Sequence, residues 1–128
     1  MAGWKIVYYE DSHGASPVYE FINSQKVTNQ AKIASWLSLL EEKGPLLPRP
    51  YADLLQDGIH ELRIKLSGNQ VRILYFFCFQ DFIILTNSFT KTTSRVPEKQ
   101  IRIAEKCRKD FLARYTEKKL QEEYDEDL

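Results

Sequence analysis

The chain has 128 residues, of which 43% are hydrophobic and 28% charged, with 18 basic against 18 acidic groups. That composition is globular, excludes a disordered chain, and fits one domain over residues 1–128. Two cysteines, Cys78 and Cys107, exclude a disulfide scaffold or a cysteine-based zinc module. No positively charged start leads into an apolar run, so no secretory leader is expected. The longest apolar stretch, Val71 to Leu85, is too short to span a bilayer and is broken by Arg72, Gln80 and Asp81. A reducing cytoplasm is the expected setting, with no membrane contact.

The balanced total hides an asymmetry. Residues 1–58 carry 5 basic and 7 acidic groups, residues 59–119 carry 13 and 6, and residues 120–128 carry 5 acids and no base. A basic body with an acidic tail over 120–128 fits an anionic partner for the body, and fits equally a solvated charged helix with a frayed end. The tail offers little apolar surface to bury and is expected to be loosely ordered.

Trp4 to Tyr9 is β-rich and reads as a first strand. Ser16-Pro17 has the form of an N-cap followed by proline at the first helical position. Val18, Phe21 and Ile22 share one face of the short helix that follows. A second helix begins near Thr28 or Asn29, and Ile33, Trp36, Leu37 and Leu40 have amphipathic spacing. Gly44-Pro45 ends it. Pro45 to Asp57, with three prolines, reads as an irregular connection.

From Ile59 the period becomes two. Leu62, Ile64 and Leu66 alternate with Glu61, Arg63 and Lys65, as in a half-buried strand. Gly68-Asn69 is a turn signal, Val71 to Phe79 reads as a central strand, and Gln80-Asp81 marks a second turn before Phe82 to Lys91. Pro97 opens a long helix with Ile101, Ala104, Cys107, Phe111 and Tyr115 near one stripe. The order implies an α+β fold. A small antiparallel sheet, the first strand plus a three-strand meander, carries the two early helices on one face, and a helix closes the chain.

With two-residue turns at Gly68-Asn69 and Gln80-Asp81, Arg63 lies opposite Leu74, and Arg72 opposite Phe89. Arg63, Lys65, Arg72 and Lys91 then leave one face beside Asn87 and Phe89. Leu62, Ile64, Leu66, Val71, Ile73, Tyr75, Phe77, Phe82 and Ile84 take the other. Four cations with Glu61 as the acid beside them suit a polyanion. The alternative is that their long stems cover apolar surface such as Leu74 and Phe76.

These residues carry a family resemblance. Glu61-Leu62-Arg63, Val71-Arg72-Ile73-Leu74-Tyr75-Phe76, Phe89-Thr90-Lys91 and Pro97 resemble, in order and spacing, a pattern of the RelE/HigB toxin superfamily, nearest its phage-derived, HigB-like branch. The resemblance spans about residues 55–115. It implies a RelE-like toxin of a type II toxin–antitoxin pair, an endoribonuclease that cuts mRNA without a metal, commonly on the ribosome. It implies no cofactor, and a cognate helix-turn-helix antitoxin as partner. By position, Arg63 and Arg72 match the family's sheet arginines and Lys91 the first lysine of its Lys-Lys pair; these three are the expected catalytic residues, and Lys65, Phe89 and Arg95 are expected RNA contacts. Ser88 stands in place of the family's usual glycine, Thr92 in place of its second lysine, and Val96 in place of the threonine that would cap the last helix.

RNA supplies its own nucleophile, the 2′-hydroxyl. The catalyst must align it, take its proton, stabilise the phosphorane and protonate the leaving 5′-oxygen. Guanidinium groups suit Arg63 and Arg72 to phosphate oxygens. Lys91 is a general base or a further electrostatic stabiliser, and Phe89 stacks on a base or simply packs. His13 and His60 lack the spacing of a metal site; His60, beside Glu61 and Arg63, is the better placed for catalysis. Cys78 and Cys107 read as packing residues. The other reading is a catalytically inactive or target-binding protein of the same fold, such as a gyrase-type inhibitor or an antitoxin-binding module; a general RNA-binding accessory protein is a third.

Overall fold

A computed structural model describes residues 3–126. The elements, in chain order, are β1 (Lys5–Tyr8), α1 (Pro17–Asn23), α2 (Val27–Lys43), a 3-10 turn (Gly44–Leu46), β2 (Ala52–Gln56), β3 (Ile59–Leu66), β4 (Asn69–Cys78), β5 (Phe82–Thr90), α3 (Glu98–Arg114) and α4 (Glu117–Glu126). The class is α+β, as the pattern indicated. The sheet has five strands in the order β1-β5-β4-β3-β2. It is mixed, not purely antiparallel, because β1 runs parallel to β5.

Pro17 starts α1, but the Ser16 side chain does not cap it. The Ser16 hydroxyl donates to the Tyr9 carbonyl at 2.8 Å, and the Ser16 amide donates to Glu20 Oε2 at 2.8 Å. In α2, Ile33, Leu37 and Leu40 are buried, the stripe that amphipathic spacing requires. Gly44 stops this helix with a φ of 53°, and a Cβ there would collide with the Trp4 indole. Only glycine allows the indole to close over the helix end.

The stretch after Pro45 is not wholly irregular. Ala52–Gln56 pairs antiparallel with β3 as an edge strand, with a register shift between Leu54 and Gln56. The first hairpin turns at Ser67-Gly68, with φ of 50° and 86°, so Leu66 faces Asn69 and Arg63 faces Arg72 instead of Leu74. A slip of two residues leaves every side chain on its expected face. The second turn has three residues, Phe79 to Asp81, with Phe79 at a φ of 56°. Cys78 therefore faces Phe82, and a bulge between Leu74 and Tyr75 on the β4 side takes in the extra residue, Thr86, on β5. Beyond the bulge Arg72 faces Phe89, as expected.

That odd-numbered turn moves Phe82 and Ile84 to the face opposite the one expected. Their place against α1 and α2 is taken by Ile83 and Leu85. Leu62, Ile64, Leu66, Val71, Ile73 and Tyr75 pack with Ile33, Leu37 and Leu40 into one core. Leu74, Phe76, Phe82 and Ile84 form a second core with Ala104, Cys107 and Phe111 of α3 and Leu120 of α4. Both faces of the sheet are covered.

The C-terminal helix is two helices. Tyr115 is extended, with φ −117° and ψ 135°. Thr116 Oγ1 accepts the Lys119 amide at 3.2 Å and starts α4. Leu120 is buried at 3% exposure, and the Tyr124 ring lies 5.8 Å from Phe82. The expected loose acidic tail is thus a packed helix through Glu126; residues 127 and 128 lie outside the described residues.

Candidate nucleic-acid interface

The second sheet face divides along its strands. Its apolar end lies under α3 and α4, and its polar end carries Glu61, Arg63 and Lys65 on β3 with Gln70 and Arg72 on β4. Alternation forces this: the residues between them, Leu62, Ile64, Val71 and Ile73, all point into the first core. Phe89 sits opposite Arg72. The Lys91 amide donates to the Gln70 carbonyl at 2.7 Å, which continues the ladder one step past β5 and puts Lys91 in line with Phe89. The sheet therefore brings Arg63, Arg72, Lys65, Phe89 and Lys91 to one face, as expected. Arg95 lies apart, exposed in the loop before α3, where its carbonyl accepts the Thr93 hydroxyl at 2.7 Å.

The cations are not a bare cluster. Glu61, 2% exposed, stands between the two arginines. Its Oε2 accepts Arg63 Nε at 3.1 Å and Arg63 Nη2 at 3.0 Å. Its Oε1 lies 3.0 Å from Arg72 Nε, an ion contact whose alignment falls short of a hydrogen bond. Arg72 Nη1 donates to Gln70 Oε1 at 3.3 Å and to the Val71 carbonyl at 3.2 Å. Asp53 on β2 adds a second acid: its Oδ2 accepts Arg63 Nη2 at 3.3 Å and its Oδ1 accepts Arg49 Nε at 3.0 Å. Burial raises the Asp53 pKa, but the hydrogen bond from Arg49 and the charges of Arg49 and Arg63 outweigh it, so the carboxyl sits below its usual value. Burial pulls the Arg72 guanidinium below its usual pKa, against the opposing pull of Glu61.

Exposure separates the arginines. The Arg72 side chain is 7% exposed and the Arg63 side chain 29%. Arg72 does not stand open to a polyanion, as the strand pattern suggested: it is buried, opposite Phe89 and beside strands that α3 packs against. Arg63 reaches the surface, Lys65 is exposed, and Lys91 is half-buried. Sequence reasoning noticed Glu61 but not its bridge, and missed Asp53, because β2 was not recognised and the two arginines were placed two residues out of register.

His60 leaves the other side of β3. It stacks on Tyr75 at 5.3 Å between ring centroids and meets Phe77 edge-on at 5.0 Å. Burial holds its pKa below 6.5, with Asp53 pulling the other way. His60 is thus on the opposite face from the arginines. Burial also pushes the Cys78 thiol up to about 12 and the Cys107 thiol up to about 11. Among the described residues no three His, Cys, Asp or Glu side chains gather as metal ligands, and no helix is long and apolar enough to cross a membrane.

A mixed five-strand sheet between two pairs of helices, with paired arginines at the polar end of one face, is the build of a small RelE-like α+β protein. Residues 20–109 match the model of the family described as phage derived protein Gp49-like (DUF891), and the chain belongs to that family. It is a family of the type II toxin–antitoxin toxin kind, RelE-like in general, and it points to an antitoxin as partner. Among curated proteins, none matches the chain.

Proposed function

We propose that the protein is the toxin of a type II toxin–antitoxin pair, of the HigB-like branch, and that it cleaves mRNA on the ribosome in the cytoplasm, held in check by a helix-turn-helix antitoxin. The observation that carries this reading is the Arg63–Arg72 pair. The two residues sit directly opposite on adjacent strands, at the polar end of the second sheet face, beside Lys65 and Lys91.

The chain's residues have distinct tasks in this reaction. Arg63 reaches solvent and binds the scissile phosphate, where its fork meets two oxygens and offsets the charge of the phosphorane. Lys91 approaches from the β5 side and either takes the 2′-hydroxyl proton or adds positive potential. Arg72, too buried to meet RNA directly, positions Arg63 through the shared carboxylate of Glu61. Lys65 and Arg95 hold flanking phosphates, and Phe89 offers a half-buried ring edge to a base. RNA supplies the nucleophile, so the proposed reaction needs no metal.

Single-turnover cleavage of mRNA on programmed ribosomes tests this, with thermal melting in parallel. Arg63→Ala and Lys91→Ala should each slow cleavage by about 10²–10³ while the fold survives. Lys65→Ala should cost less, with an effect that shrinks at high salt. One observation favours a second reading: Glu61 and Asp53 already neutralise both arginines. If the wild-type protein binds its antitoxin tightly but cuts no RNA, with or without ribosomes, it is an inactive or target-binding member of the fold, and Thr92 is the first position to restore to lysine.

A further inference from the structure

At the opposite edge of the sheet, β1 has no strand on its outer side. The Lys5 and Tyr9 amides donate to the Asp81 and Leu85 carbonyls at 2.8 and 2.9 Å. The alternation of a parallel ladder turns the amide and carbonyl of Ile6 and Tyr8 away from β5. Trp4, in the same outward row, donates to the Glu41 carbonyl near the end of α2 at 3.2 Å. The helix closes the row at Trp4 and goes no further. Among the described residues neither Ile6 nor Tyr8 has a backbone partner on this side.

A cavity lies on each side of this open edge. One, of about 610 Å³, is lined by Ile6, Val7 and Tyr8 with Tyr19 of α1 and Leu120 and Tyr124 of α4. The other, of about 230 Å³, is lined by Ile6 and Tyr8 with Leu37 and Glu41 of α2. The charged residues lining them are all acids: Glu10, Glu20 and Glu123 in the first, and Glu41 in the second. None of the four is in an ion pair among the described residues. Burial raises the Glu41 pKa, because its carboxylate is partly removed from water. Cations on the neighbouring segments have partners of their own: Lys5 pairs with Asp81, Arg114 pairs with Asp110 and also donates to the Glu10 carbonyl, and Lys119 lies over the Tyr115 ring. Apart from Glu20, the larger cavity is built from residues outside the matched span 20–109.

We propose that the β1 edge docks an extended segment of a partner protein, rich in Lys or Arg alternating with apolar residues, which adds as a sixth strand beside Ile6 and Tyr8. Backbone pairing with the outward amides and carbonyls supplies the attachment. Alternate side chains of the added strand drop into the two cavities, and its cations meet Glu10, Glu41 and Glu123. The surface lies on the edge away from Arg63, so it is independent of RNA cleavage.

The test uses the full-length, 15N-labelled chain and a capped synthetic peptide that alternates valine with lysine and arginine. Saturable shifts should appear at the Ile6 and Tyr8 amides. Methylation of alternate peptide backbone nitrogens should abolish them. The double variant Glu41→Lys/Glu123→Lys should weaken binding by about tenfold at low salt and less at high salt. Ile6→Pro removes one outward amide without touching a β1–β5 bond, and should weaken binding more than Ile6→Ala, which loses the same packing on the first core but keeps the amide. The proposal is overturned by no saturable binding at millimolar peptide, by equal binding of the glutamate-substituted peptide, or by shifts confined to the Arg63 face. Free protein that already runs as a dimer through β1 would overturn it too, since a second copy would then be the occupant.

Discussion

Glu61 is the residue on which the candidate site turns. A carboxylate at 2% exposure is costly to bury, and two guanidinium groups within 3.0 Å offset that cost. Removing it leaves Arg72 buried with no acid in contact. Glu61→Ala should destabilise the protein by about 3 kcal/mol or more, the cost of breaking a buried pair from one side. Arg63→Ala should cost about 1 kcal/mol, because its head is partly in water. Urea unfolding of both variants checks the ranking; equal losses would show that the network is not centred on Glu61. His60 makes a separate, pH-dependent contribution. Its folded pKa lies below the ordinary 6.5 because burial disfavours the cation. The unfolded chain therefore binds the proton first as pH falls, so the stability present above about pH 6.5 is lost as the solution moves down toward the folded value. The melting temperature should drop between about pH 7 and pH 5, and His60→Phe should flatten that drop. A slope unchanged in the variant would assign it to other groups.

Among the elements, α4 departs most from what its sequence suggests. Glu117–Glu126 is dominated by charge, but Leu120 and Tyr124 recur at i and i+4 and reach the second core. Leu120→Ala should cost about 2–4 kcal/mol and loosen the helix, which hydrogen exchange over residues 117–126 would reveal. Protection unchanged from wild type would mean that α4 is held by something other than this contact. The same contrast shows what the sequence carried. Long periodic segments were legible: α2 by its Ile33–Leu40 stripe, α3 by Ile101, Ala104, Cys107 and Phe111, and the meander by its alternation. The face of Arg63, Arg72 and Lys91 was legible too, because a two-residue error in the first turn preserves parity. The second turn was not, since nothing in Phe79-Gln80-Asp81 announces that Phe79 adopts a positive φ, and that single residue exchanges Phe82 and Ile84 for Ile83 and Leu85. β2 was hidden by the prolines before it and by its lack of alternation. With it went Asp53, and so the acid that shares Arg63 with Glu61.

For the molecule as a whole, the sheet is shared by two cores. On β4, Ile73 and Tyr75 enter the core under α1 and α2, while Leu74 and Phe76 enter the one under α3 and α4. β5 divides in the same way, with Ile83 and Leu85 against Phe82 and Ile84. Loss of either layer exposes a face of the same central strands, so neither core can melt alone without stripping the other of its backing. Unfolding should therefore be a single transition. The two tryptophans, Trp4 and Trp36, both report on the first core, whereas circular dichroism reports on all helices. Their denaturation curves should coincide in wild type, in Leu40→Ala on the first core and in Phe111→Ala on the second, with each variant losing about 2–5 kcal/mol. If Phe111→Ala gave a circular dichroism transition ahead of the tryptophan signal, α3 and α4 would be a separable layer. The polar end of the sheet, where Arg63 and Arg72 stand, would then be held by the α1–α2 side alone. Coincident curves would mean that the arginines owe their position to both cores at once, which is the rigidity that the proposed stabilisation of a phosphate demands.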